Sequence, residues 1–183
     1  MKISELKEIY SKDKNLSELG IEIQKYQSIA AKKVMVDEIL DRCLEHDKNG
    51  MIVCDFVARK LNIDLVYILN YTNIEFNENE VVSDYDWLQE NGIVELIKDN
   101  INEEELWFIE SVVGEEIEQK TALNNSVEAV LNRNLVKAVE KIPTAKELDK
   151  LLKKFMKEFQ SFDFSKLQVL GDIYKELQSK PKS

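Results

Sequence analysis

The sequence predicts an all-α protein: a compact multi-helix domain of amphipathic helices with little or no strand. Three observations predict it. Chain breakers are scarce, with 5 Gly and 2 Pro in 183 residues, which leaves little material for tight hairpins or glycine-rich loops. Good helix formers (Leu, Ile, Glu and Lys) are abundant, and apolar residues recur three and four positions apart along most of the chain. Helix-start signals, a capping residue followed by acids, punctuate that periodicity at several points.

Taken in order, Ile3 to Tyr26 predicts one or two short helices, with Leu16, Leu19, Ile23 and Tyr26 at helical spacing. A longer helix is expected from about Ala31 to Glu45, with Val34, Ile39 and Leu40 inward, ended by Asp47-Lys48-Asn49-Gly50 with Gly50 as a left-handed turn residue. Met51 to Tyr71 is the most apolar stretch and predicts the central buried helix, with β-branched residues near its start that suit a strand equally well. Thr72 to Val82 reads as a loop, and Ser83-Asp84-Tyr85-Asp86 as a capping box opening a short helix that Asn91-Gly92 closes. Ile93 to Asn100 predicts another short helix. Asn102 followed by Glu103, Glu104 and Glu105 is a strong helix start, since an Asn cap and three acids complement the positive end of the helix dipole; that helix should reach about Lys120. Asn124-Asn125-Ser126 opens the next helix, with Val127, Val130, Leu131 and Leu135 on one face, and Pro143 ends it. Thr144-Ala145-Lys146-Glu147 caps a helix bearing Leu148, Leu151, Leu152, Phe155 and Phe159, and a last amphipathic helix follows from Ser165 through Leu177 to a frayed tail. These boundaries divide the chain into an N-terminal helical segment over 1–30, a helical core domain over 31–165, and a C-terminal helix and tail over 166–183.

Composition narrows the class. Hydrophobic residues at 44% and charged residues at 33% mark a charge-rich globular chain. No run of 18 apolar residues exists and the N-terminus has no signal-peptide apolar region, so a cytoplasmic protein that does not span a membrane is expected. The net charge is −10, and it is unevenly spread. Residues 1–62 are balanced, with 11 basic and 11 acidic groups. Residues 63–120 hold 16 acids against only Lys98 and Lys120, and residues 121–183 hold 12 basic and 8 acidic groups.

Candidates for chemistry are few. Cys43 and Cys54 make no disulfide framework, and reduced thiols are the expectation. With His46 they offer three metal ligands, where a structural zinc site needs four. His46 is the only histidine, sits near a helix end and has no nucleophile-and-carboxylate constellation around it in the sequence. Asp84 with Asp86, and Glu103 with Glu104 and Glu105, are carboxylate clusters of the sort that bind divalent cations, but both stand where a helix start already favours acids. No Walker loop and no dinucleotide-binding glycine pattern occurs. A non-enzymatic protein without metal or cofactor is expected. Lys146, Lys150, Lys153, Lys154 and Lys157 form one basic stripe, yet no aromatic residue interleaves with it and the chain as a whole is acidic, so direct nucleic-acid binding is disfavoured. The acidic third suits a basic protein partner instead, because closely spaced carboxylates imitate a nucleic-acid backbone.

Several stretches taken together resemble a family of small acidic helical proteins of Firmicutes phages and prophages. They are Tyr71-Thr72-Asn73-Ile74-Glu75-Phe76, Glu90-Asn91-Gly92-Ile93, Asn125-Ser126-Val127, and Lys141-Ile142-Pro143-Thr144 followed by Lys146-Glu147-Leu148, and the resemblance covers roughly residues 30–165. Size, acidity and phage context are also similar to type II anti-CRISPR proteins. The resemblance implies a protein that binds a guide-loaded type II CRISPR nuclease in the host cell and blocks its DNA site as a DNA mimic. The expected partner-binding residues are Asp84, Asp86, Glu103, Glu104, Glu105, Glu110, Glu115 and Glu116. A phage virion morphogenesis factor, such as a head–tail joining protein or tail assembly chaperone, is the alternative, and a homodimer is compatible with both.

Overall fold

The computed structural model describes residues 1–11, 15–77, 79–139, 150, 153–154 and 157. It contains α1 (Ile3–Ile9), α2 (Ile29–Cys43), β1 (Leu44–His46), β2 (Ile52–Cys54), α3 (Phe56–Tyr71), α4 (Val81–Glu90), α5 (Ile93–Asn100), α6 (Glu103–Asn124) and α7 (Val127–Val139). The fold is mostly α, with one two-stranded sheet. None of the helices among the described residues is long and apolar enough to cross a membrane.

The chain divides into two compact units: Met1–Glu45 with Val53–Gln119, and His46–Ile52 with the described residues from Lys120 onward. In the first, α3 is the central helix. Asp55 caps it, its carboxylate accepting from the Val57 and Ala58 amides at 2.9 and 3.0 Å, and Ile63 through Ile68 are all buried. Its most extensive helix contact is with α2, whose Met35, Val36, Ile39, Leu40 and Cys43 recur at the 3.6-residue period and face inward. Ile3 and Leu6 of α1, with Leu16, Leu19 and Ile21 after it, enter the same core. Ile93, Val94 and Ile97 of α5 and Ile109 and Val113 of α6 complete it. Gly92 lies between α4 and α5 at φ 69°, a backbone region that glycine enters without strain.

In the second unit, Asp47 organises the hairpin turn: its Oδ1 accepts from the Asn49 and Met51 amides, both at 2.8 Å, and Gly50 closes the turn at φ 77°. The Asn125 carboxamide pairs with both backbone groups of Ile52, at 2.9 and 2.8 Å, as a neighbouring strand would. Ser126 caps α7 by accepting from the Ala129 amide, and Leu131 and Leu135 are buried as their spacing predicts.

Several boundaries differ from expectation. Residues 21–28 are not helical, and Tyr26 is exposed. Val34, expected inward, points outward at 64% exposure, because the buried stripe of α2 runs one position away through Met35 and Val36. The β-branched start of the apolar run is strand β2, and the central helix begins only after the Asp55 cap. Ser83 is no cap: α4 starts two residues earlier, and the Ser83 hydroxyl donates to the Glu80 carbonyl from inside the first turn. Helix α6 continues past Lys120 to Asn124. The helices expected over residues 144–160, apart from its four described lysines, and from Ser165 lie outside the described residues, as does the segment 166–183.

Candidate partner-binding face

The acids of the central third separate into two populations. The first is buried. Glu105 is 4% exposed, and its carboxylate accepts from the buried Lys32 ammonium at 2.5 Å, the Gln27 amide at 3.1 Å and the Tyr71 hydroxyl at 2.9 Å. Burial by itself would raise this carboxyl, but the Lys32, Gln27 and Tyr71 donors outweigh it and hold the group below the usual glutamate range. Tyr26 and Phe108 lie against the Lys32 ammonium at 4.7 and 5.0 Å from their ring centroids, adding cation–π attraction. Asp64, fully buried, accepts from Lys98 at 3.0 Å, Lys60 at 3.3 Å and the Tyr85 hydroxyl at 2.9 Å. Asp84 is 4% exposed and takes Lys7 at 2.8 Å. Burial and the paired carboxylates push the Tyr85 and Tyr71 hydroxyls upward, keeping them protonated as donors.

The second population is exposed. On α6, Glu103, Trp107, Glu110, Gly114 and Glu118 fall at i, i+4, i+7, i+11 and i+15, so they share one stripe, flanked by Glu104, Ser111 and Glu115. Asn102 starts this helix, its side chain accepting from the Glu104 amide at 3.1 Å. Glu103, Glu104, Glu110 and Glu115 are exposed, and α6 itself puts no basic side chain on the stripe. The Arg59 guanidinium of α3, however, comes within 3.8 Å of where a Cβ on Gly114 would lie and lines a pocket with Glu110. In its middle Trp107 is 70% exposed.

The eight expected binding residues therefore divide. Asp86, Glu103, Glu104, Glu110 and Glu115 are exposed. Glu116 is half-buried and lines a groove of about 160 Å³ with Ile29, Val36, Phe108 and Val112. Asp84 and Glu105 are corrections, since both are buried and bound to lysines that lie far away in sequence. Glu105 lies on the side of α6 with Ile109 and Val113, and so faces the core. Trp107 was missed, although the helical wheel alone puts it among the outward glutamates. Among the described residues no group of three metal-ligating side chains converges, and the His46 Nδ1 is 3.3 Å from the Gly50 carbonyl oxygen.

Compared with protein-family models, with curated proteins and with solved structures, the chain matches none.

Proposed function

We propose that this chain is a non-catalytic binding protein that seats the outward face of α6 on a basic protein surface. The observation that carries the proposal is Trp107, 70% exposed within a stripe of carboxylates. Leaving a large indole in water forgoes the gain from burying it, and tryptophan is enriched among the residues that dominate binding energy in protein interfaces. The surrounding glutamates add long-range attraction and orientation toward lysines and arginines, which raises association rate more than final affinity. An aromatic centre with an anionic rim thus matches an apolar pocket bordered by cations.

The basic surface we put forward is the nucleic-acid channel of a type II CRISPR nuclease, where the exposed carboxylates would take the place of backbone phosphates. The test is capture of guide-loaded nuclease by the tagged chain, with DNA cleavage measured in parallel. Capture with loss of cleavage is expected for the wild-type chain. Trp107→Ala, and separately Glu103→Lys with Glu104→Lys, should weaken both by tenfold or more, about 1.4 kcal/mol, with helicity unchanged. Full cleavage at saturating wild-type chain would overturn the nuclease as partner.

A second proposal, a virion morphogenesis subunit, is favoured by a different surface. Phe56 and Val57, adjacent at the start of α3, are 73% and 79% exposed, and such apolar pairs suit subunit contacts. It predicts self-association that Phe56→Ser abolishes, measured by light scattering, and recovery of the chain with capsid or tail proteins.

A further inference from the structure

The two cysteines lie 11 positions apart in sequence, and the fold brings them together. Cys43 is the last residue of α2 and Cys54 the last of β2. The Asp55 amide donates to the Cys43 carbonyl at 2.8 Å, and the Asp47 amide to the Met51 carbonyl at 2.9 Å, so the hairpin register sets Leu44 opposite Cys54 and Cys43 one step beyond. In a regular ladder that offset would put the two side chains on opposite faces. Cys43 still belongs to the helix, however, so its side chain does not follow that alternation; its thiol lies 3.9 Å from the Leu40 carbonyl oxygen, close enough to Cys54 for that thiol to help push it up. Strand pairing holds neighbouring backbones within the separation a disulfide can span. The two thiols differ in access: Cys43 is buried, whereas Cys54 is partly exposed.

We infer that Cys43 and Cys54 form a thiol pair that low-molecular-weight disulfides oxidise to an intramolecular disulfide, making the α2–hairpin junction a redox-modification site. The Cys54 thiolate attacks one sulfur of the small disulfide; its S–S bond breaks, one small thiolate leaves, and a mixed disulfide remains on Cys54. Cys43 then gives its proton to solvent and attacks the Cys54 sulfur, and the second small thiolate leaves. Two protein thiols are oxidised to one disulfide while the small disulfide is reduced to two thiols. Burial, together with the neighbouring Cys54, pushes the Cys43 thiol up to about 11, so the second step is the slow one and quickens with rising pH. The bond would tie the end of α2 to the start of α3, and a short closed loop of this kind restricts the unfolded chain.

The experiment treats the full reduced chain with oxidised glutathione under native conditions, then alkylates and measures intact mass. The expected product has lost two hydrogens, takes up no alkylating agent even after unfolding, and yields on non-reducing proteolysis one cross-linked pair of peptides holding Cys43 and Cys54. Its melting temperature should rise, and reductant should reverse the rise. Cys43→Ala should stop at a stable glutathione adduct on Cys54, and Cys54→Ser should remain unmodified. Because Cys43→Ala opens a small space in the core, the wild-type mapping decides. A wild-type chain that keeps one glutathione while Cys43 stays alkylatable, or that links to a second chain, or that oxidises only in denaturant, would overturn the inference.

Discussion

Glu103, Glu104 and Glu105 are consecutive, identical in chemistry and placed in the same first turn of α6, yet they do opposite things. Glu103 and Glu104 stand in solvent, where they complement the helix dipole. Glu105, one position on, is buried on a lysine, a backbone amide and a tyrosine hydroxyl. The same division runs through the rest of the acidic third, with Asp64 and Asp84 inside and Asp86, Glu110 and Glu115 outside. A charge map along the sequence therefore overstates the anionic surface. Three of the carboxylates act as fixed points to which lysines and tyrosines are tied, and of those that stay outside, Glu103, Glu104, Glu110, Glu115 and Glu118 share the outward side of α6 with Trp107.

The sharpest way to break the comparison is to remove the cation beneath Glu105. Lys32→Met leaves a buried carboxylate without its countercharge, and the expected loss of stability is about 3–5 kcal/mol in urea unfolding. Replacing both partners, Lys32→Met with Glu105→Met, should restore most of that loss, since breaking a buried pair is worse than exchanging it for apolar groups. A single mutant that unfolds within 1 kcal/mol of wild type, on the order of ordinary surface changes, would mean that Glu105 is not buried as described.

The same pair can be titrated. Glu105 is held below its ordinary value of 4.5, so the folded chain binds its proton less readily than the unfolded chain does. Its contribution is present in full above the unfolded value and is lost as pH falls from there through the depressed folded value. Glu105→Gln should flatten that acid limb of the stability profile, whereas Glu104→Gln should leave it nearly parallel to wild type. Tyr71→Phe is the milder cut into the same network. It removes one hydrogen bond to a charged group without opening a cavity, and about 1.5–3 kcal/mol of destabilisation is expected.

Much of this division was legible in the sequence, and part was not. Helical periodicity places Glu105 with Ile109 and Val113 four and eight residues on, so its inward direction can be read directly from α6. Its partner cannot. Lys32 lies 73 positions away and reaches Glu105 only because α2 and α6 pack into one core, and Lys7 meets Asp84 across 77 positions in the same manner. Local chemistry also misled where two structures share a signature. Ser83-Asp84-Tyr85-Asp86 has the composition of a capping box, but the Asn77–Glu80 turn starts α4 earlier and turns Asp84 inward. The all-α class, the cap at Ser126, and the Gly50 and Gly92 positions depend on short-range stereochemistry, whereas the Asp55 cap lies inside a stretch whose apolar run reads as continuous helix. The closeness of Cys43 to Cys54 depends on hairpin register, which their spacing leaves open.

The smallest stability effect is the most discriminating for function. Glu115 sits beyond the first turn of α6 on its outward side, and it is exposed, so Glu115→Gln should shift unfolding by no more than about 0.5 kcal/mol. Glu103→Lys, in the first turn, places a cation against the positive end of the helix dipole and should cost about 0.3–1 kcal/mol. Neither approaches the loss expected of Lys32→Met. Outward carboxylates that contribute so little to the fold leave it free to keep or lose them on other grounds, and a concentrated anionic stripe adds self-repulsion in the folded state. Trp107→Ala separates the two roles most cleanly. An indole 70% exposed supports little of the core, so the melting temperature should hardly change while capture of a basic partner falls. A substantial loss of stability in Trp107→Ala would instead assign the indole to packing and remove the aromatic centre from the proposed contact.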